Sequence, residues 1–190
     1  MPKLWDETVD AHRAAVREAI VRATAELVAE HGVASVKMAQ IAERAGVGRA
    51  TLYKYFPDVE AILGVWHEEH VAAHLGELRA ARERGGSAGA RLRAVLTGYA
   101  FIAFHRAGAD AEIAALVHRG DSATEARGQL LTLLGDALAE AAADGAVRDD
   151  IAPVELAQYC LHALEAAGAL ASQAAVRRLV AVTLDGLRPA

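Results

Sequence analysis

The sequence predicts an all-α protein, and composition, apolar spacing and turn residues each support this fold class. Of the 190 residues, 54% are apolar, only 5% are aromatic and four are proline. Alanine, the best helix former, is abundant throughout the chain. Apolar residues recur at intervals of three and four, and no segment shows the alternation of a half-buried strand. We therefore expect helices along the chain and no β-sheet.

The N-terminal half predicts four helices with recognisable ends. An amphipathic helix should cover about 8–31 and end there, because Gly32 follows it. Two short helices should cover about 37–45 and 49–55. Asp58 is placed to cap a long helix that continues to about residue 84.

The C-terminal half begins after a glycine-rich break at 85–89. Ser122 and Glu125 form a capping-box pattern, and Pro153 suits the first position of a helix. Further helices are predicted over about 90–107, 110–118, 122–143, 153–171 and 174–187.

The segment 41–56 has the spacing of a helix-turn-helix motif. Ala42 is small enough for a close helix crossing, and Gly46 can adopt the positive φ that ends a helix. Val47 should fill the turn, and Leu52 should anchor the inner face of the second helix. The outward residues of that helix are cations, hydroxyls and aromatics, which contact phosphates and base edges. They are Arg49, Thr51, Tyr53, Lys54 and Tyr55. The alternative is an ordinary helical hairpin with a solvated polar face.

The wider stretch 31–63 resembles the DNA-binding domain of the TetR family of bacterial transcriptional regulators. The matching residues are Gly32, Ile41, Ala42, Ala45, Gly46, Val47, Thr51, Leu52, Tyr53, Phe56, Glu60 and Leu63. Beyond about residue 75 the resemblance extends only to the architecture.

This resemblance implies roles for the residues of the second short helix. Arg49, Ala50 and Lys54 match positions that face base edges, whereas Thr51, Tyr53 and Tyr55 match positions that contact phosphates. Two positions depart from the family pattern. Lys37 replaces the usual serine or threonine cap, so we expect Ser35 to cap that helix and Lys37 to reach a phosphate. Val59 replaces a usual lysine, which removes one expected phosphate contact.

Charge is distributed unevenly along the chain. The formal net charge is −5, but residues 1–56 hold eight Lys/Arg against seven Asp/Glu, whereas 57–190 hold twelve against eighteen. Within 37–56, four cations including Arg44 accompany a single acid, Glu43. A basic patch on an acidic body is typical of a sequence-selective DNA-binding protein. Together with this charge distribution, the resemblance implies an N-terminal three-helix helix-turn-helix DNA-binding domain, 1–56, and a C-terminal helical effector-binding and dimerisation domain, 57–190.

The last two predicted helices carry more apolar residues than one face can hold. The resemblance implies that they form a four-helix bundle with a second copy, which would give a homodimer on a palindromic operator. The alternative is that both faces belong to the internal core. The expected interface residues are Leu161, Leu164, Val176, Leu179, Val180, Thr183 and Leu187.

The C-terminal domain is expected to bind a small effector, with an apolar or aromatic ligand preferred because the domain has few polar residues. A ligand between the long helix and the 90–107 helix would tilt the long helix and release DNA, as in a repressor. An activator or a ligand-independent regulator remains an alternative. So does a metal sensor that uses His67, His70 and His74. The candidate pocket residues are Trp66, His70, Tyr99, Ile102, Arg106 and His162.

Other classes of protein are not expected from this sequence. No apolar run reaches the ~20 residues that span a bilayer, and the charged N-terminus lacks the apolar core of a signal peptide. The lone Cys160 fits a reducing cytoplasm, where it should be a buried apolar residue. Because no nucleophile elbow, phosphate loop or HExxH order is present, we expect no enzyme activity, no cofactor and no metal.

Overall fold

The computed structural model describes the backbone of residues 3–106 and 121–189, and the side chains of 9–106 and 124–189. These residues contain eight α-helices, two short 3₁₀ helices and no strand, in agreement with the predicted all-α class. They group into two compact units, which we call the N-terminal unit (residues 3–70) and the C-terminal unit (71–106 with 121–189). Within the described residues, no helix is long and apolar enough to cross a bilayer.

The N-terminal unit is built from three helices and the beginning of a fourth. Helix α1 (Lys3–His31) is followed by a 3₁₀ turn (Val33–Ser35), α2 (Met38–Arg44) and α3 (Arg49–Tyr55). Helix α4 (Val59–Glu83) then begins, and its residues up to His70 belong to this unit. One apolar cluster joins these helices. Its buried members are Ile20, Val21, Leu27, Val28, Val33, Val36, Ile41, Ala42, Leu52, Phe56, Ile62 and Leu63.

The C-terminal unit contains the rest of α4 and four further helices. They are α5 (Ala88–His105), α6 (Asp121–Ala143), α7 (Pro153–Glu165) and α8 (Gln173–Asp185), with a 3₁₀ helix (Ala166–Ala169) before α8. Their core is larger than that of the N-terminal unit. It includes Leu92, Val95, Leu96, Leu134, Leu138, Cys160, Leu161, Leu164, Val176, Val180 and Leu187.

Several helix ends follow the predicted capping chemistry. The Asp58 carboxylate accepts the N–H of Ala61 at 2.8 Å, which confirms the predicted cap of α4. Pro153 occupies the first turn of α7, where no hydrogen bond is lost.

The α6 backbone is helical from Asp121, within one residue of the predicted start, and the Ser122 side chain lies outside the described side chains. The predicted end of α7 was wrong. Helix α7 ends at Glu165, six residues before the predicted end, because the chain tightens there into the 3₁₀ helix. The predicted helix at 110–118 lies outside the described residues. The domain boundary after residue 56 stays a prediction, and the N-terminal apolar cluster continues past it to Leu63.

Candidate nucleic-acid interface and effector grooves

The turn between α2 and α3 has the backbone geometry that the sequence predicts. Gly46 has φ 68°, a left-handed conformation that glycine adopts without a steric penalty. Its N–H donates to Glu43 O at 3.2 Å, and the N–H of Val47 donates to Ala42 O at 3.0 Å. These two bonds form a Schellman motif, which satisfies carbonyls at the end of α2 and fixes the direction in which the chain leaves it.

Helix α3 is anchored by one face and exposes the other. Leu52 is completely buried in the N-terminal cluster. The opposite side of the helix exposes Arg49, Ala50, Thr51, Tyr53 and Lys54, with 57% of Tyr53 accessible. Tyr55 is half-buried and packs against the apolar cluster. Five of the six residues predicted on this helix to contact DNA therefore share one solvent-facing surface, which we call the α3 face.

The start of α2 differs from the predicted capping. Lys37 occupies the N-cap position, and its backbone N–H donates to the Gln40 side chain at 2.9 Å. Ser35 instead lies in the 3₁₀ turn, so the expectation that it caps α2 was wrong. The Lys37 side chain is exposed.

Arg44 pairs with carboxylates of α1. Its guanidinium donates two hydrogen bonds to the Glu30 carboxylate at 2.9 and 2.8 Å, and lies 3.5 Å from Glu26. Hydrogen bonding by Arg44 lowers the pKa of Glu30, and the same bonds raise the pKa of Arg44. Arg44 therefore ties α2 to α1, and the expected basic patch reduces to Lys37, Arg49 and Lys54.

One further cation in this unit was not singled out from the sequence. The Arg17 guanidinium lies 5.7 Å from the centre of the Phe56 ring and 3.5 Å from Glu69. Because these partners are 39 and 52 residues away along the chain, no local pattern identifies the contact. It links α1 to the end of α3 and to α4.

The predicted pocket residues belong to both units. Trp66 and His70 stack with ring centroids 4.9 Å apart on the N-terminal part of α4. Tyr99 and Ile102, on α5, belong to the C-terminal unit, as do Arg106 and His162, which are both exposed. Burial raises the pKa of the Tyr99 hydroxyl, and the charge of Glu165 raises it further.

The histidines of α4 are differently placed from one another. His67 is buried, with 8% exposure, whereas His70 and His74 are partly exposed. Among the residues whose side chains are described, no group of three His, Cys, Asp or Glu is arranged to hold a metal ion.

Two open grooves lie within the C-terminal unit. The larger, about 700 Å³, runs between α4 and α6 and is lined mainly by charged and polar residues such as Arg79, Arg82 and Asp136. The smaller, about 440 Å³, runs between α4 and α5, and Ile102 is the predicted pocket residue that lines it. We call the smaller one the α4–α5 groove.

Most residues predicted for a dimer interface face inward. Leu161, Leu164, Val176 and Leu187 are completely buried in the C-terminal core, Val180 is 4% exposed and Thr183 is 1% exposed. Leu179 is partly exposed. Because buried side chains are unavailable to a partner, a second copy would have to contact other residues.

The outward faces of α7 and α8 also carry apolar side chains. Tyr159 is 47% exposed and Val182 is 65% exposed. The Tyr159 hydroxyl lies close to Gly186, where an added Cβ would be 3.0 Å from it, and Val182 precedes Gly186 by four residues, about one helical turn. We call this surface, formed by Tyr159, Val182 and Gly186, the α7–α8 patch.

A glycine turn between two short helices, an anchored Leu52 and an exposed α3 face define a helix-turn-helix protein. Two family models match this chain. The one describing bacterial regulatory proteins of the tetR family matches residues 20–64, and the one describing the SbtR-like C-terminal domain of transcriptional regulators matches 92–189. The chain belongs to the TetR family of bacterial transcriptional regulators.

Curated relatives share the N-terminal part of the chain. An uncharacterised helix-turn-helix transcriptional regulator of Mycobacterium bovis is 44% identical over 59 residues, and one of Mycobacterium tuberculosis is 42% identical over 59 residues. Each match covers 31% of this chain and 31% of the relative.

Solved structures share the fold along most of the chain. A TetR/AcrR regulator from Thermobifida fusca has a TM-score of 0.78 and 21% identity, covering 90% of this chain and 98% of that one. FadR from Bacillus subtilis, in complex with stearoyl-CoA, has a TM-score of 0.68 and 19% identity, covering 90% and 99%. A TetR regulator from Streptomyces coelicolor has a TM-score of 0.65 and 27% identity, covering 91% and 98%.

Proposed function

We propose that this protein is a homodimeric, sequence-specific repressor whose α3 face binds a palindromic operator and which a small effector releases from DNA. The observation that carries the proposal is the α3 face itself. Leu52 fixes the inner side of the helix, so that Arg49 and Lys54 project from a rigid support. A guanidinium so placed can make a bidentate contact with guanine in the major groove.

The polar residues around this helix suit contacts with phosphates. Thr51 and Tyr53 are exposed on α3, and Lys37 is exposed at the start of α2. Hydroxyls and ammonium groups hold the DNA backbone and set the register of the reading helix. Tyr55 is half-buried, so we assign its hydroxyl a phosphate contact and its ring a packing role.

A dimer is supported by the α7–α8 patch. Tyr159 and Val182 expose apolar surface on adjacent helices, and exposed aromatic and aliphatic side chains are typical of the centre of an interface. A two-fold axis through this patch would pair each helix with its copy in a four-helix arrangement. Two reading helices related by that axis require two half-sites of inverted sequence.

Release by an effector is supported by the position of α4. This helix contributes residues to the N-terminal cluster and also lines both grooves of the C-terminal unit. A ligand that prefers one position of α4 would change the spacing of the two α3 faces, with a coupling free energy of about 1–3 kcal/mol. FadR from Bacillus subtilis, which shares this fold, forms a complex with stearoyl-CoA, so acyl thioesters belong among the first effectors to test.

The DNA-binding part of the proposal is tested by selecting random duplexes with the purified protein and with an Arg49→Ala, Lys54→Ala double variant. We expect the natural protein to enrich a palindrome and the double variant to enrich none. Arg79→Ala, which removes an exposed arginine of the C-terminal unit, is the control and should enrich the same palindrome. Failure of the natural protein to enrich any sequence would refute specific recognition.

A further inference from the structure

The α4–α5 groove has a lining that changes along its length. Four residues separate the end of α4 at Glu83 from the start of α5 at Ala88, so the two helices form an antiparallel hairpin. Arg84 directly follows α4, and Arg93 lies in the second turn of α5. Both arginines line the groove and are exposed, so its hairpin end is cationic.

Away from the hairpin the lining is mixed. Gly98 and Ile102 of α5 are partly exposed there beside Thr97, whereas Leu78 and Ala81 of α4 are almost completely buried. Ile102 lies nine residues beyond Arg93, which corresponds to about 13 Å along a helix. The acidic lining residue Glu77 comes from the same distal part, seven residues before Arg84.

The Leu78 side chain of α4 reaches α5 in the middle of this groove. A Cβ added at Gly98 would lie 2.9 Å from Leu78 Cδ2, so the absence of a side chain at Gly98 leaves room for Leu78. Any molecule that lies over this contact touches both helices. Its binding would therefore depend on their separation.

We propose that the α4–α5 groove binds an anionic amphiphile, with the anionic group near Arg84 and Arg93 and an alkyl chain along Ala94, Gly98 and Ile102 of α5. Charge complementarity at one end and the stripe of small and apolar residues on α5 favour this class over a neutral or cationic ligand. The inference rests on the proposed effector-controlled regulator and names the ligand class of its effector site. Free carboxylates and phosphorylated carrier thioesters share this anionic chemistry.

The test is calorimetric titration of the full-length protein with three probes of equal chain length, each kept below its aggregation limit. Decanoate presents a carboxylate, decanoyl-CoA presents phosphates, and decanol is neutral. We expect both anions to bind and decanol to bind more weakly. In an Arg84→Gln, Arg93→Gln double variant, binding of the preferred anion should weaken about tenfold, whereas binding of decanol should change less than about twofold.

Arg79 of α4 provides a matched control. Arg79 is exposed on α4 but lines the larger groove, where it donates to Gln129 at 3.0 Å. Arg79→Gln removes the same charge and should leave the affinity for all three probes unchanged. A preference for decanoyl-CoA over decanoate that disappears in the double variant would identify a phosphorylated carrier as the source of the anion.

Three results would overturn the proposal: no binding of either anion, equal affinity for anion and alcohol, or the same loss in Arg79→Gln as in the double variant. Release of operator DNA is measured separately by fluorescence anisotropy. The anion could bind in a manner that depends on Arg84 and Arg93 and yet leave operator DNA bound. This result would support the proposed anion site in the groove and contradict the proposed effector-controlled release. If the anionic probe still releases operator DNA from the double variant, the effector site lies elsewhere and the proposed role of the α4–α5 groove is wrong.

Discussion

Arg44 and Lys54 carry the same charge within the helix-turn-helix segment but have different partners. Arg44 pairs with Glu26 and Glu30 of α1, whereas the Lys54 side chain is exposed on the α3 face. Charge counted along the sequence treats the two residues alike. Their roles differ because α1 folds back against α2, a contact between residues 14 and 18 positions apart that no local pattern contains.

Gly46 and Leu52, by contrast, could be predicted from the sequence alone. The positive φ of Gly46 and the inward position of Leu52 on its helix are local properties, although the side chains that bury Leu52 include distant residues such as Ile20. Backbone geometry and helical periodicity, which are local properties, determine both. The α3 face was therefore predictable at the level of single residues, apart from the partial burial of Tyr55.

Cys160 gives a prediction at this scale. It is completely buried on α7, and burial raises the pKa of its thiol to about 12. Since the thiolate is the reactive form, Cys160 should not react with a water-soluble disulfide reagent at neutral pH in the folded protein. Absorbance of the released thiol measures this directly. Reaction should become rapid in denaturant, and equally rapid reaction without denaturant would contradict the buried position.

At the scale of elements, an ionic network joins three helices of the C-terminal unit. Glu140 on α6 accepts from Arg82 of α4 at 2.6 Å and from Arg91 of α5 at 3.1 Å, and Arg82 also donates to Asp136 at 3.2 Å. Hydrogen bonds from Arg82, and then from Arg91, lower the pKa of Glu140. This network fixes the C-terminal part of α4 relative to α5 and α6.

The network predicts an acid-dependent contribution to stability. Because the folded pKa of Glu140 lies below its ordinary value of 4.5, the contribution is complete above that pH and is lost as the pH falls through the lowered pKa. Glu140→Gln should therefore lower the urea midpoint at neutral pH and change it less near about pH 3. The effect should be small, since the carboxylate is 41% exposed.

The control for this prediction is Glu125→Gln on α6. Among the described hydrogen bonds, the Glu125 carboxylate accepts one, from the Gln129 side chain. It should leave the urea midpoint nearly unchanged at both pH values. An equal effect of Glu140→Gln at neutral and acid pH would mean that the ionic form of Glu140 makes no contribution.

For helices α7 and α8, the sequence predicts where the helices lie but not which face of each helix is buried. Their positions were predicted to within a few residues, apart from the early end of α7, because helical periodicity and Pro153 are local signals. Which apolar stripe faces the core could not be predicted, since both helices carry apolar residues on two sides. Six of the seven residues expected at the interface lie in the inner stripe, Leu179 is partly exposed, and Tyr159 with Val182 lie on the outer surface.

At the scale of the whole molecule, the proposed function depends on two copies that bind DNA together. Val182→Asp places a charge at the centre of the α7–α8 patch, where an interface would have to desolvate it. Sedimentation should therefore show a monomer for this variant, and operator affinity should fall because only one half-site is bound at a time. Val9→Asp alters a similarly exposed valine of α1 and should leave the dimer intact. A dimer that persists in Val182→Asp would place the interface elsewhere.

The measurement that tests the central claim most directly is the affinity of the natural protein and Arg49→Ala for every single-base variant of the selected operator. If α3 reads base edges, Arg49→Ala should lose about 1–3 kcal/mol of discrimination at one base pair in each half-site and keep its preferences elsewhere. Lys37→Ala should weaken binding to all variants about equally, because phosphate contacts carry no sequence information. Uniform weakening by Arg49→Ala, with every base preference intact, would contradict base reading by the α3 face.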